Sequence, residues 1–504
     1  MENNEKYMLL RSISFGQRVA EEESDSLATY FVETDQWVRL FRGDIDIIYG
    51  PKGSGKSALY SLLIANSSDL FDRNIILVPA ENPRGGTAFR DIATDPPTTE
   101  REFVGLWKLY ILSLLHSVIV EYAINTDAAR QLDKALVRDG LVKGHLSLAG
   151  LLQRVRAYIV KAFRPQSVEG TFNVDPATQL PSGFTGKITF VEPSAPGHDP
   201  ELHSVDSLLE LANQALTDSK TRAWVLFDRL DVAFVEKAEL ESNALRALFR
   251  VYLDFGSLSN VTLKIFLRTD IWARITSQGF REASHITRHL TVSWNRNSLL
   301  NLVVRRSVHN ESLRKAFSAP DDLAKRSMQE QELFFFKMCP DQVDVGPNKP
   351  NTFDWLLSRT RDGLKANAPR ELIHLLNSLR EVQVKRFEIG EPSPEGDIIF
   401  SRPAFKDALP EVSKVRLEQT LYAEYPELKE SLEKLRGEKT AHTPDTLASV
   451  WSVSREEAIV MANQLATIGF FEKRGTTVEP EYWVPFLYRD GLDMVQGAAE
   501  TGTA

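Results

Sequence analysis

The chain has a single cysteine, Cys339, in 504 residues. That excludes a disulfide framework and any metal centre built from several thiolates, and it suits a reducing, cytoplasmic setting. A surplus of positive charge is also missing: 60 Lys and Arg face 69 Asp and Glu, for a net charge of −9. Proteins that coat nucleic acid carry the opposite sign, because neutralising phosphates drives that binding. Nucleic acid is therefore a secondary expectation, confined to a local basic groove. The opening stretch MENNEKYMLLRSISFGQ has no long apolar core and no small-residue cleavage site, so it does not read as a secretory signal. The longest apolar run, LWKLYILSLLHSVIVEYAI at 106–124, carries Lys108, His116 and Glu121. A membrane span rarely accepts all three, so a buried helix is expected and no membrane. There is no ligand set among the nine histidines, no nucleophile elbow, no nuclease-like acidic cluster with lysine, and no internal repeat.

What is present starts at IIYGPKGSGKSALYSLL, residues 47–63. A hydrophobic run enters a loop of Gly, Pro, Ser and Lys, and a helical pattern leaves it. The loop fits G-x-x-x-x-G-K-[ST] with Gly50, Gly55, Lys56 and Ser57 at the fixed places, and Pro51, Lys52, Gly53 and Ser54 between them. Glycines let backbone N–H groups turn inward around phosphate oxygens; Lys56 reaches the β- and γ-phosphates and the Ser57 hydroxyl ligates Mg²⁺. The start of the following helix adds its dipole and unpaired N–H groups. ATP with Mg²⁺ is the expected ligand.

The length calls for two or three domains. Residues 1–41 form a polar leader ending in an amphipathic helical pattern around Tyr30, Phe31 and Trp37, with the acidic run Glu21–Glu23 read as a solvated first turn. Strands at 45–49, 74–80, 223–231, 261–270 and 289–294 alternate with helices, which predicts an α/β core with a parallel sheet covered on both faces over 42–295. A Pro-, Gly-, Ser- and Thr-rich insert near 165–205 reads as a hairpin or mobile loop. From 296 to 395 the patterns are helical, forming a lid. Residues 396–504 read as a winged-helix domain, with Ala458, Met461, Leu465 and Ile468 at helical spacing and a Gly-bounded ribbon after them. Acidic residues outnumber basic ones there, which favours a regulatory or protein-contact module over a DNA reader.

A phosphate loop needs an acid at the end of a second strand to hold Mg²⁺, and AWVLFDRLD supplies Asp228. The residue usually following is Glu, which polarises water; here it is Arg229. Asp231 is the nearest acid, either a base or a cap of the next helix. Arg268, at the end of the strand KIFLRTD, either touches the γ-phosphate or serves locally, pairing with Asp270 or capping a helix. Arg370 in NAPRELIHLL starts a helix and is a candidate to reach the nucleotide from the lid. Arg305 and Arg306 are either donated across a subunit interface or lie on a solvated face.

The order of phosphate loop, LFDRLD, FLRTD, WNRNSLL, APREL and winged helix resembles the STAND and AAA+ side of the P-loop ATPases. The leader FGQRVAEEE…YFVET, the loop GPKGSGKSA, FDWLLSRTRDG…APREL and the terminal WVPFLYRDGL resemble a bacterial P-loop ATPase family often encoded in anti-phage defence loci. The resemblance spans nearly the whole chain apart from the insert. It implies cytoplasmic ATP binding, self-association and a regulatory winged helix. In STAND proteins two Asp three apart are followed by Glu; this chain has Asp228 and Asp231 but Val232, which implies slow hydrolysis. The expected function is thus an ATP-dependent switch acting on a partner effector. A DNA-binding loader or regulator, and a scaffold that keeps ATP without hydrolysing it, are the alternatives.

Overall fold

Runs of Ile, Val, Leu and Phe become strands because branched and aromatic side chains pack well on a pleated surface. In chain order these are β1 (Ile47–Gly50), β2 (Ile75–Pro79), β3 (Pro165–Val174), β4 (Pro181–Phe190), β5 (Arg222–Phe227), β6 (Val261–Arg268) and β7 (His289–Thr291). The computed structural model describes residues 1–17, 23, 30–32, 34–80, 100–138, 165–174, 181–190, 204–230, 238–277, 279–476 and 479–500. It divides into a sheet unit, Gly43–Tyr49 with Leu63–Leu290, and a second unit, Met1–Arg42 with Gly50–Leu62 and Thr291–Ala504.

The central sheet has the order β2-β5-β6-β1-β7, and β2, β5 and β6 run parallel. Ala223 to Phe227 are all buried, which requires cover on both faces rather than the alternation of a half-solvated sheet. On one face Ile47, Val78, Val225, Phe227, Leu263 and Ile265 join a core with Phe103, Trp107, Tyr110, Leu208, Leu245 and Phe249 from three helices. The apolar helix Glu100–Glu121 belongs to this core: Trp107 Nε1 donates to the Ala244 carbonyl at 2.8 Å. Two of its polar residues find partners in the same unit. Lys108 pairs with Asp206 at 2.9 Å and Asp254 at 2.8 Å, and His116 meets Asp133 at 3.0 Å. Within the insert, β3 and β4 pair antiparallel.

The strand expected at 223–231 is shorter. It stops at Phe227, and the backbone turns at Arg229 with φ 53°. A left-handed residue ends a strand, so Asp228 stands just past the sheet.

The second unit opens with a helix the sequence pattern did not single out, Asn3–Ser12, and of the expected leader helix the described residues include Asp35–Arg42 and a helical Tyr30. Helices Arg296–His309, Met328–Met338, Thr352–Arg359 and Pro369–Glu388 share a core around Phe335, Trp355 and Leu375. Pro369 sits at the first helical position, where its missing N–H costs nothing. The winged helix follows: helices Pro444–Trp451 and Arg455–Thr467, joined through a left-handed Ser452, and strands β8 (Lys439–His442), β9 (Glu472–Gly475), β10 (Pro480–Trp483) and β11 (Val495–Ala498) in the order β11-β8-β10-β9. Ala458, Ala462 and Leu465 bury the inner stripe of the second helix.

Candidate nucleotide site

The loop between Gly50 and Ser57 owes its path to two glycines, Gly53 at φ +79° and Gly55 at φ +95°, a region that side chains with a Cβ rarely enter. The helix Lys56–Ala65 starts directly after them, with Leu59 N–H already bonded to the Gly55 carbonyl at 3.1 Å. Lys56 folds back over the loop and donates to the carbonyls of Gly50 at 2.8 Å and Pro51 at 3.0 Å. Those carbonyls hold an ammonium group where a polyphosphate would take it over. Ser57 is half-buried in the first turn and Ser54 is buried.

Around the loop stand residues that its own sequence does not announce. Trp294 Nε1 donates to the Ser54 carbonyl at 2.7 Å, and its ring lies 3.8 Å from the place of a Cβ on Gly55. Lys52 forms an ion pair with Glu424. Arg370, in the first turn of Pro369–Glu388, packs on Gly53: a Cβ there would sit 3.2 Å from Arg370 Cβ and 3.5 Å from its Cδ. Arg370 Nε is buried with no hydrogen-bond partner among the described residues. The stretch SWNRNSLL held the signal for Trp294, an aromatic residue one position before a helix cap, but nothing in its spacing points 240 residues back along the chain.

In the sheet unit, Asp228 is 4% exposed at the end of β5 and Arg268 ends the neighbouring parallel strand β6. Arg268 is engaged by Asp270 through both ends of its guanidinium, Nε to Oδ1 at 3.0 Å and Nη2 to Oδ2 at 2.7 Å. Of the two readings of Arg268, the structure therefore shows the ion pair. Asp231 lies outside the described residues.

Arg306 is neither a solvated residue nor one presented to a neighbouring subunit. It is 4% exposed, donates to the Phe15 carbonyl at 2.6 Å and forks onto Glu23 at 2.9 and 2.7 Å, with its guanidinium 4.7 Å from the Tyr30 ring centroid. Glu23, read as part of a solvated turn, is 5% exposed for the same reason: two buried charges neutralise each other. Glu21 and Glu22 lie outside the described residues. Arg305 bonds Asn301 Oδ1 at 2.8 Å.

No protein-family model matches the chain, and no curated protein is similar to it. Among solved structures it is similar to the Aeropyrum pernix Orc1 protein in complex with DNA, at 12% identity over 95% of this chain and 96% of that one, with a TM-score of 0.37. The Aeropyrum pernix Orc2 protein in ADPNP–ADP complexes is similar at 14% identity over 95% and 94%, TM-score 0.35. Cdc6p from Pyrobaculum aerophilum follows at 11% identity over 93% and 96%, TM-score 0.30. Likeness at this level assigns no activity to the chain.

Proposed function

We propose that this chain is an ATP-binding, slowly hydrolysing switch that self-associates in the cytoplasm and controls a partner effector protein. The observation that carries the reading is the loop itself: two left-handed glycines, a lysine turned onto the loop carbonyls, a helix start at Lys56, and an Arg370 packed against Gly53 whose buried Nε has no partner among the described residues. These residues fit a nucleoside triphosphate. Gly50, Pro51, Lys52, Gly53, Ser54 and Gly55 would cradle the phosphates and Lys56 would neutralise them. Ser57 and Asp228 would hold Mg²⁺, which when bound screens the phosphate charge. Asp231 would orient water, and Arg268 and Arg370 would sense the γ-phosphate, Arg268 by leaving Asp270. With Arg229 and Val232 where glutamate is usual, water activation is weak and the ATP state long-lived. The resemblance to ATPases of anti-phage defence loci supports placing the effector among proteins of that kind.

Asp228 and Asp231 separate in the test. Asp228→Ala is expected to weaken Mg²⁺-dependent ATP binding, whereas Asp231→Ala spares binding and slows single-turnover hydrolysis. Parental hydrolysis by Asp231→Ala moves the base elsewhere.

A second reading, a DNA-binding regulator, is supported by the wing, which exposes Lys473 and Arg474, the latter 4.0 Å from the Trp483 ring centroid. The second helix of the same domain exposes Glu456 and Glu457 at its N-terminus, a poor match to a phosphate backbone. Turnover stimulated by duplex DNA, and falling steeply with salt, selects this reading; indifference to DNA rejects it.

A further inference from the structure

The Pro369–Glu388 helix brings two consecutive residues to the phosphate loop, and only Arg370 has a role so far. Glu371 is 4% exposed and divides its carboxylate between two environments. Oε1 accepts from Arg416 Nη1 at 2.7 Å. Oε2 has no hydrogen-bond partner among the described residues and lies 3.5 Å from the place of a Cβ on Gly53. Leaving a buried carboxylate oxygen unpaired is costly, so its position beside the loop calls for a reason beyond packing.

Arg416 is the last residue of the helix Leu409–Arg416, which runs into a π-helical turn, Leu417–Tyr422. Together they form a strut with the winged helix on one side. Gly491 N–H donates to Ser413 Oγ at 2.8 Å. A Cβ on Gly491 would come within 2.5 Å of Leu417 Cδ1, so winged helix and strut leave no room for a side chain there. Tyr488 and Asp362 lie around the Arg416 guanidinium as well. On its other side the strut meets the phosphate loop twice, through Arg416–Glu371 at Gly53 and through Lys52, which pairs with Glu424 and lies 3.5 Å from the Gln419 carbonyl. π-Turns inside helices are frequent at functional sites.

We propose that Glu371 is a positioning residue of the nucleotide site that transmits occupancy of the phosphate loop to the winged helix through Arg416 and the strut Leu409–Tyr422. The proposal rests on the reading of the loop as an ATP site. A polyphosphate on the loop draws Arg370 and Lys52 toward it and repels the Glu371 carboxylate. Glu371 is tethered to Arg416, so its displacement moves the strut; Lys52 leaving Glu424 releases the far end. Ser413 and Leu417 then carry the shift into Gly491 and Tyr488.

The experiment is amide exchange of the full chain, empty and with ATP or ADP, read over residues 480–492, together with ATP affinity by calorimetry. Glu371→Gln keeps size and shape and removes the charge. By removing the repulsion it is expected to bind ATP more tightly than the parent while shrinking the ATP-induced change in exchange by about fivefold or more. Arg416→Lys, which keeps the charge but loses the guanidinium Nη1 bond to Glu371, is expected to shrink it in the same direction and serves if Glu371→Gln does not fold. A variant that binds ATP and keeps the full parental response overturns the inference alone. A parent chain that does not bind ATP overturns the proposed function and this inference with it.

Discussion

Lys56→Ala abolishes ATP binding at concentrations that saturate the parent, while the far-ultraviolet circular dichroism stays parental. The result is expected because the two tasks of the side chain differ in size. In the structure Lys56 bonds two carbonyls of its own loop, and losing such contacts costs about 1 kcal/mol each in net terms. The fold has other supports there, including the Trp294–Ser54 bond at 2.7 Å and the packing of Arg370 on Gly53. Toward ATP the same ammonium would be the one side-chain charge of the motif placed between two phosphates. Its removal is expected to cost about 3 kcal/mol or more, over a hundredfold in Kd. Calorimetry with ATP and Mg²⁺ measures this directly, and equal affinity in variant and parent would refute the site.

The second large effect is on stability. Arg306 and Glu23 form an ion pair with side chains 5% and 4% exposed, and removing one partner leaves an uncompensated charge away from water. Arg306→Ala is expected to lower the stability of the second unit by about 3–5 kcal/mol. The Phe15 carbonyl loses its donor in the same step. The double variant Glu23→Leu/Arg306→Met should recover much of the loss, since two apolar groups pack where one orphaned charge does not. Urea unfolding of the three proteins decides. A single variant as stable as the parent means that the leader is held by other contacts, among them Lys6 on the Pro394 carbonyl at 2.7 Å and Asn310 on the Ser14 carbonyl at 2.9 Å.

These two residues show what a reading along the chain can and cannot do. The motif around Lys56 is local: strand, glycine loop and helix follow one another within 17 residues, and each is dictated by the residue types in it. Arg306 is the opposite case. The adjacent Arg305 and Arg306 on a helix look alike in sequence, yet one is half-buried on Asn301 and the other is buried against a residue 283 positions earlier. No periodicity encodes that partner. Arg268 is intermediate: Asp270 two residues on was a visible alternative, and the strand-to-helix corner at Thr269 brings the two together.

By itself, the sequence determined the α/β sheet with its phosphate loop, the helical stretch after 296 and the winged helix. All of these rest on patterns of period two or near four and on Gly and Pro punctuation, which act over a few residues. Only the tertiary structure decided the pairings: Trp294 on Ser54, Lys52 on Glu424, Glu371 between Gly53 and Arg416, and Glu23 under Arg306. The reason is physical. A buried charge or an aromatic N–H must find a partner, but any complementary group that folding brings near will satisfy it, and which one arrives is a property of the packed chain.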